Sequence, residues 1–155
     1  MRSFSNQILA ILLTLLLLPS LTFAGSDGLV TVKSPHSVQE TADKLVAVLN
    51  DKGMVVFNRI DHAAGAEKSG LTFPPTTQVI FGNPKIGTPL MNCQRTVAID
   101  LPQKMLIWED ISGQVWLAYN DPAYIKARHG VTGCDEVFDK VAGALAKFAS
   151  ASTAP

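Results

Sequence analysis

Lys104-Met105-Leu106-Ile107-Trp108-Glu109-Asp110, then Ile111-Ser112-Gly113, then Gln114-Val115-Trp116-Leu117-Ala118-Tyr119 is the stretch that decides the fold. Two apolar runs joined by three residues ending in glycine predict a β-hairpin. The glycine takes the left-handed position that closes a type I turn with a bulge. That register sets Asp110 against Gln114 and Trp108 opposite Trp116. Successive strand residues point to opposite faces. Leu106, Trp108, Trp116 and Ala118 therefore share one face, and Met105, Ile107, Leu117 and Tyr119 the other. Both faces are apolar. An antiparallel sheet with one face in water alternates apolar with polar residues, so each face of this hairpin needs a cover.

Upstream of the hairpin, Gly28 to Ser34, Met54 to Ile60, Gln78 to Phe81 and Thr96 to Asp100 read as four further strands. Ser37-Val38-Gln39-Glu40 is a capping box. Val38, Ala42, Leu45, Val46 and Leu49 follow at helical spacing, which predicts a helix over about 38–52 with Gly53 as its stop. Residues 63–76 read as a short helical turn and a loop. Thr88-Pro89 opens a short helix over 89–94. Downstream, Asp121-Pro122 starts a short helix to about Ala127. The last helix puts Val137, Phe138, Val141, Leu145 and Phe148 on one stripe, and residues 150–155 are expected to fray. Six strands, two main helices and late hairpins predict a two-layer α+β domain: an antiparallel sheet of about six strands with both main helices on one face. The second apolar face is covered either by another copy of the chain, making a homodimer, or by the 63–76 and 84–94 segments.

Composition narrows the function classes. With 13 Lys+Arg against 13 Asp+Glu, the chain lacks the basic surface that nucleic-acid binding requires. Its first residues have the layout of an export signal. Met1 and Arg2 precede the apolar run Ile8–Leu18, and Thr22-Phe23-Ala24 supplies small residues for cleavage after Ala24. Such a run reaches about 17 Å as a helix, short of the roughly 30 Å hydrocarbon core. The expected protein is a single domain over residues 25–155, periplasmic or secreted, meeting a membrane only through its signal. In an oxidising compartment two free thiols are seldom kept, so Cys93 and Cys134 are expected to form a disulfide. Two separately buried cysteines are the alternative.

Several polar residues fall at predicted strand ends: Asp61, His62, Asn83, Asp100, Tyr119, Asn120 and Asp121. Asn83 before Pro84 and Asp121 before Pro122 have the types and positions of turn and cap residues. His62, beside Asp61 and after an apolar strand, suits an acid/base role or metal ligation; its bland role is a ring proton donated to a carbonyl. His62, His129 and one of Asp61, Asp100 or Asp121 match no recognised metal spacing, so no metal is expected. Neither a P-loop nor a Gly-x-Gly-x-x-Gly run is present, and no cofactor is expected. There is no Gly-x-Ser-x-Gly elbow.

Five motifs occur in order: Arg59-Ile60-Asp61-His62-Ala63-Ala64, Phe81-Gly82-Asn83-Pro84-Lys85, Gly87-Thr88-Pro89-Leu90-Met91, Ile99-Asp100-Leu101-Pro102 and Tyr119-Asn120-Asp121-Pro122. Together they resemble the bacterial domain of unknown function family 302, over about residues 28–149. The resemblance implies a compact two-layer α+β fold and a dimer, and no established activity. Asn92-Cys93-Gln94 stands where the resemblance implies a Gln-Ala-Asp-like stretch. Cys93 is then a feature of an exported member, which favours the disulfide over a catalytic thiol.

The function expected is a periplasmic small-ligand-binding or accessory module. Its apolar ligand or protein partner would lie near His62, Asn83, Pro84, Asp100, Tyr119 and Asn120. The alternative is a small hydrolase or isomerase using His62 with Asp61 or Asp100 as acid and base, with Tyr119 as a further catalytic candidate.

Overall fold

The computed structural model describes residues 23–24 and 28–155. The signal read over residues 1–24 thus lies outside the described residues, apart from Phe23 and Ala24. The elements run β1 (Phe23–Ala24), β2 (Leu29–Ser34), α1 (Val38–Asp51), β3 (Val55–Asp61), α2 (His62–Lys68), β4 (Thr76–Gly82) and α3 (Pro84–Cys93). A 3-10 turn (Arg95–Asp100) leads to β5 (Gln103–Glu109), β6 (Val115–Asn120), α4 (Pro122–Arg128) and α5 (Asp135–Thr153). One antiparallel sheet has the order β1-β2-β6-β5-β4-β3. Five of its strands are long; Phe23–Ala24 adds a two-residue sixth beside Val30 and Thr31.

The hairpin has the register its turn dictates, with Trp108 opposite Trp116 and Ile107 opposite Leu117. Asp110 and Gln114 exchange the closing bond, Asp110 N donating to the Gln114 carbonyl at 2.9 Å, and Gly113 takes φ +79°. The capping box forms as read. Ser37 Oγ accepts from Glu40 N at 3.2 Å, and Glu40 Oε2 accepts from Ser37 N at 3.0 Å. α1 then buries Val38, Thr41, Ala42, Leu45 and Leu49. α5 lays Phe138, Val141, Leu145 and Phe148 beside α1 on the same face of the sheet. Each fully buried leucine or phenylalanine contributes about 1.5–3 kcal/mol over leaving it exposed. The sheet answers with Val79, Phe81, Met105, Ile107, Leu117 and Tyr119. Phe81 meets Phe148 edge to face, with centroids 6.1 Å apart.

Three expectations need correction. Thr96–Asp100 is part of the 3-10 turn, not a strand. Both edges of β5, the strand that this segment leads into, are taken by β4 and β6. The segment closes its own bonds, from Val97 N to the Gln94 carbonyl and from Leu101 N to the Ala98 carbonyl. α3 begins at Pro84 rather than Pro89, because Asn83 caps it and Pro84 fits its first turn. The C-terminus does not fray before Thr153. Ser152 and Thr153 are buried and donate to the carbonyls of Phe148 and Ala149, while His36 and Lys44 both reach the Ala154 carbonyl.

On the face away from α1 and α5, Ile80, Leu106, Trp108 and Trp116 are half-buried. α3 packs on α5 and the 3-10 turn, on the helix side, and so does not cover them. Trp116 Nε1 donates to Asp110 Oδ2 at 2.7 Å, and Lys33 Nζ lies 5.3 Å from its ring centroid. Among the described residues no helix is long and apolar enough to cross a membrane.

Candidate functional site

The sheet has two unlike ends. At one, β4 finishes, β5 begins and β3 begins, because neighbouring strands are antiparallel: Val55 pairs with Gly82, and Phe81 with Gln103. α3 leaves this end and the 3-10 turn returns to it, and the gap between them is a pocket of about 330 Å³. Met54 and Phe57 line it from the start of β3. Ile86, Leu90 and Met91 line it from α3, and Ala98, Leu101 and Pro102 from the segment entering β5. Pro102 follows a cis peptide bond. A register shift at Phe57 interrupts the β3–β4 ladder, and the ring, half exposed, lies over Gly82. A Cβ on Gly82 would stand 3.0 Å from Phe57 Cε2, so glycine there lets the ring approach the strand.

The polar groups of the pocket are neutral: Asn83, Thr88 and Gln103. Asn83 holds the local backbone, its Oδ1 accepting from Lys85 N at 2.9 Å and its Nδ2 donating to the Gly53 carbonyl at 3.1 Å. Cys93, at the end of α3, is joined to Cys134, which caps α5; their Cα atoms are 6.3 Å apart. The pocket's helical wall is therefore bonded covalently to the core helix.

Beside the pocket, at the 3-10 turn, two side chains converge on the Asp100 carboxylate. Its Oδ2 lies 2.6 Å from His129 Nε2, and its Oδ1 accepts from Arg128 at 2.9 Å. His129 Nδ1 lies 3.0 Å from Thr96 Oγ1. The side chains of His129 and Asp100 are only 8% and 11% exposed. This cluster fastens the 3-10 turn to the end of α4. Among the described residues no group of three His, Cys, Asp or Glu side chains has metal-binding geometry.

His62 is elsewhere. It opens α2 at the far end of the sheet, where Asp61 pairs with Thr77. Thr77 and Gly82 are five residues apart on β4, about 17 Å at roughly 3.4 Å per residue. His62 is exposed and its ring makes no hydrogen bond among the described residues. Asp61 is committed to capping α2, its carboxylate accepting from Ala64 N at 2.9 Å. The acid/base pair of His62 with Asp100 is thus not assembled: the partner that Asp100 takes is His129. Tyr119 is buried on the helix face opposite Met105. Burial first, and the Asp121 charge second, push its phenol up. Asn120 ends β6 opposite Leu29, and Asp121 caps α4 through Ala123 N at 2.9 Å. Of the six ligand-binding candidates, Asn83 and Pro84 line the pocket; His62, Asp100, Tyr119 and Asn120 do not. Sequence reasoning missed Met54, Phe57, Pro102 and Gln103. Their signal is adjacency in an up-and-down sheet: consecutive antiparallel strands bring the start of one beside the end of the next.

The family model described as domain of unknown function DUF302 matches residues 30–148. Proteins called fluoride-specific ion channel FluC 1, from Brucella suis biovar 1 (strain 1330) and Brucella abortus biovar 1 (strain 9-941), are each 48% identical to this chain over 128 residues. The match takes in 80% of this chain but 50% and 47% of theirs. The chain thus spans about half the length of these curated relatives. A crystal structure of an uncharacterized conserved protein DUF302 from Bacillus stearothermophilus superposes with a TM-score of 0.73 at 19% identity, covering 81% of this chain and 98% of that one.

Proposed function

The chain belongs to the family of the domain of unknown function DUF302, and from the geometry of its site we propose that it is a binding module for a small apolar ligand. The observation that carries this is the 330 Å³ pocket, walled by methionine, leucine, isoleucine, phenylalanine and proline. Ligand sites are concave, mostly apolar and furnished with a few placed polar groups. The volume equals about eleven waters at roughly 30 Å³ each, which suits a molecule of about that many heavy atoms. Burying such a molecule removes apolar surface from water on both sides, at about 25 cal/mol per Å². The disulfide fits an oxidising compartment, and with the leader motif it supports a periplasmic site of action.

Gly87 offers the test. A side chain there starts 3.9 Å from Leu101 Cδ1, over the pocket, and replacing a helical glycine also raises helix propensity. Native mass spectrometry of protein purified from its own host is expected to show a retained small molecule. The same preparation of Gly87→Phe is expected to be empty. A wild-type protein with no retained mass, or a variant that keeps it, would contradict the reading.

We further propose that the half-buried Ile80, Leu106, Trp108 and Trp116 face is covered by a second copy of the chain, the two-fold dimer being the commonest oligomer. Light scattering at micromolar concentration is expected to give a dimer, and a Trp108→Lys variant a monomer. A monomeric wild type rejects this. The curated relatives favour a second reading. A channel must span a bilayer, and the portion shared with this chain contributes no spanning helix among the described residues. The domain then serves as an appendage to a membrane protein. Deleting it from a relative is expected to spare fluoride conduction and change its regulation; lost conduction in a correctly inserted protein would reject this.

A further inference from the structure

We infer that the pocket takes an uncharged amphiphile, an apolar chain ending in an amide or similar carbonyl head, and that the Gln103 side chain recognises that head. This rests on the pocket being a ligand site, as proposed above.

None of the side chains lining the pocket carries a charge. Lys85, between Pro84 and Ile86, is exposed and is not part of the lining, and the charges that enter β5 are committed. The Asp100 carboxylate is held by Arg128 and His129, and the Lys104 ammonium donates to the Asp100 carbonyl at 3.0 Å. The first turn of α3, where backbone N–H groups would draw an anion, is also spent. Lys85 N donates to Asn83 Oδ1, and Ile86 N and Gly87 N donate to the Asn83 carbonyl, each at 2.9 Å. A carboxylate buried in this site would leave water and find no cation among the lining side chains, which is costly. A neutral head loses far less.

Besides the Thr88 hydroxyl, Gln103 is the group left to meet it. It is the first residue of β5, half-buried, on the helix side opposite Phe81. Its side chain makes no hydrogen bond among the described residues. Asn83, the other amide in the wall, has both ends occupied. A primary amide presents two donors and an acceptor. Gln103 Nε2–H can donate to a ligand carbonyl while Oε1 accepts from a ligand N–H, a reciprocal pair that a carboxylate cannot complete.

The probes are octanamide and octanoate, equal in heavy atoms and differing in charge at pH 7.5. Each is titrated into the full chain, freed of any retained small molecule by denaturation and refolding, with its methionine methyl groups carbon-13 labelled. Octanamide is expected to shift the Met54 and Met91 methyls and to bind roughly tenfold tighter than octanoate. Gln103→Leu, at a half-buried position that tolerates an apolar residue, is expected to weaken octanamide about fivefold and leave octanoate unchanged. Gln103→Asn, which keeps the amide but withdraws it by one methylene, is expected to fall between. Octanoate binding as tightly as octanamide, or a Gln103→Leu variant that keeps the preference, overturns the head-group assignment while the pocket stands. Neither probe moving either methyl overturns the pocket reading itself.

Discussion

The two ends of the sheet differ in what holds them. At the pocket end, β3, β4 and β5 are closed over by α3 and the 3-10 turn, with apolar side chains inside and the Cys93–Cys134 bond behind. At the far end, the hairpin turn and the start of α2 are fastened by short polar contacts. Asp110 accepts from Ser112, Gln114 and Trp116, and Asp61 caps its helix. The far end holds an exposed histidine, His62, and offers its ring no hydrogen-bond partner among the described residues. The pocket end has the enclosure, and its buried His129–Asp100 pair fastens the 3-10 turn to the end of α4. A reactive side-chain type marks a site only when the fold surrounds it.

The largest expected effect belongs to the disulfide. It closes a loop of about 42 residues, so replacing both cysteines by serine should lower unfolding free energy by about 4 kcal/mol. Amides of α3 should then exchange faster while those of α2 do not. A loss under about 1 kcal/mol, read by urea titration against the reduction expected, would mean that the pocket end is not held by this bond. Next is Leu90→Ala. Leu90 is buried between the pocket and the core, and its truncation should cost about 2–5 kcal/mol and release the retained ligand. Truncation with ligand retained would break the contrast between the ends.

The far end should answer to pH instead. Hydrogen bonds from the Ser112 hydroxyl, then the Trp116 indole, and then the backbone of Gln114 and Ser112 hold the Asp110 carboxyl down to about 2. The folded value lies below the ordinary one, so this contribution is present above the usual carboxylate range and is lost as pH falls through about 2. The melting temperature of Asp110→Asn should lie below wild type at neutral pH, and the gap should shrink as acid is added. A gap that stays constant down to pH 2 contradicts the assignment. The smallest effect is that of His62→Ala, an exposed residue whose ring makes no hydrogen bond among the described residues, which should change stability by less than about 0.5 kcal/mol and leave ligand retention unaltered. Loss of ligand in that variant would move the site to the other end.

How much of this was legible in the sequence follows from the range of the interactions involved. The Trp108–Trp116 register needs only a three-residue turn, and the Ser37–Glu40 box spans four residues; both were readable. The pocket brings together residues from Met54 to Gln103 and depends on strand order. Reading Thr96–Asp100 as a strand puts Asp100 at a strand end, the same kind of position as His62. With that segment a 3-10 turn, Asp100 stays at the pocket end and turns to His129, which lies 29 residues downstream. Asn83 and Pro84 were found because a cap and a first-turn proline are local signals. Gln103 carries no local signal: only the pairing of its strand with β4 puts it on the wall.

The central claim is that ligand binds at the α3 end. The most direct measurement is an amide spectrum of the protein titrated with the small-molecule fraction released by denaturing natively purified material. The account predicts shifts concentrated in residues 82–91 and 101–103, with residues 61–68 unmoved. Shifts centred on 61–68, with 82–91 unmoved, would contradict it.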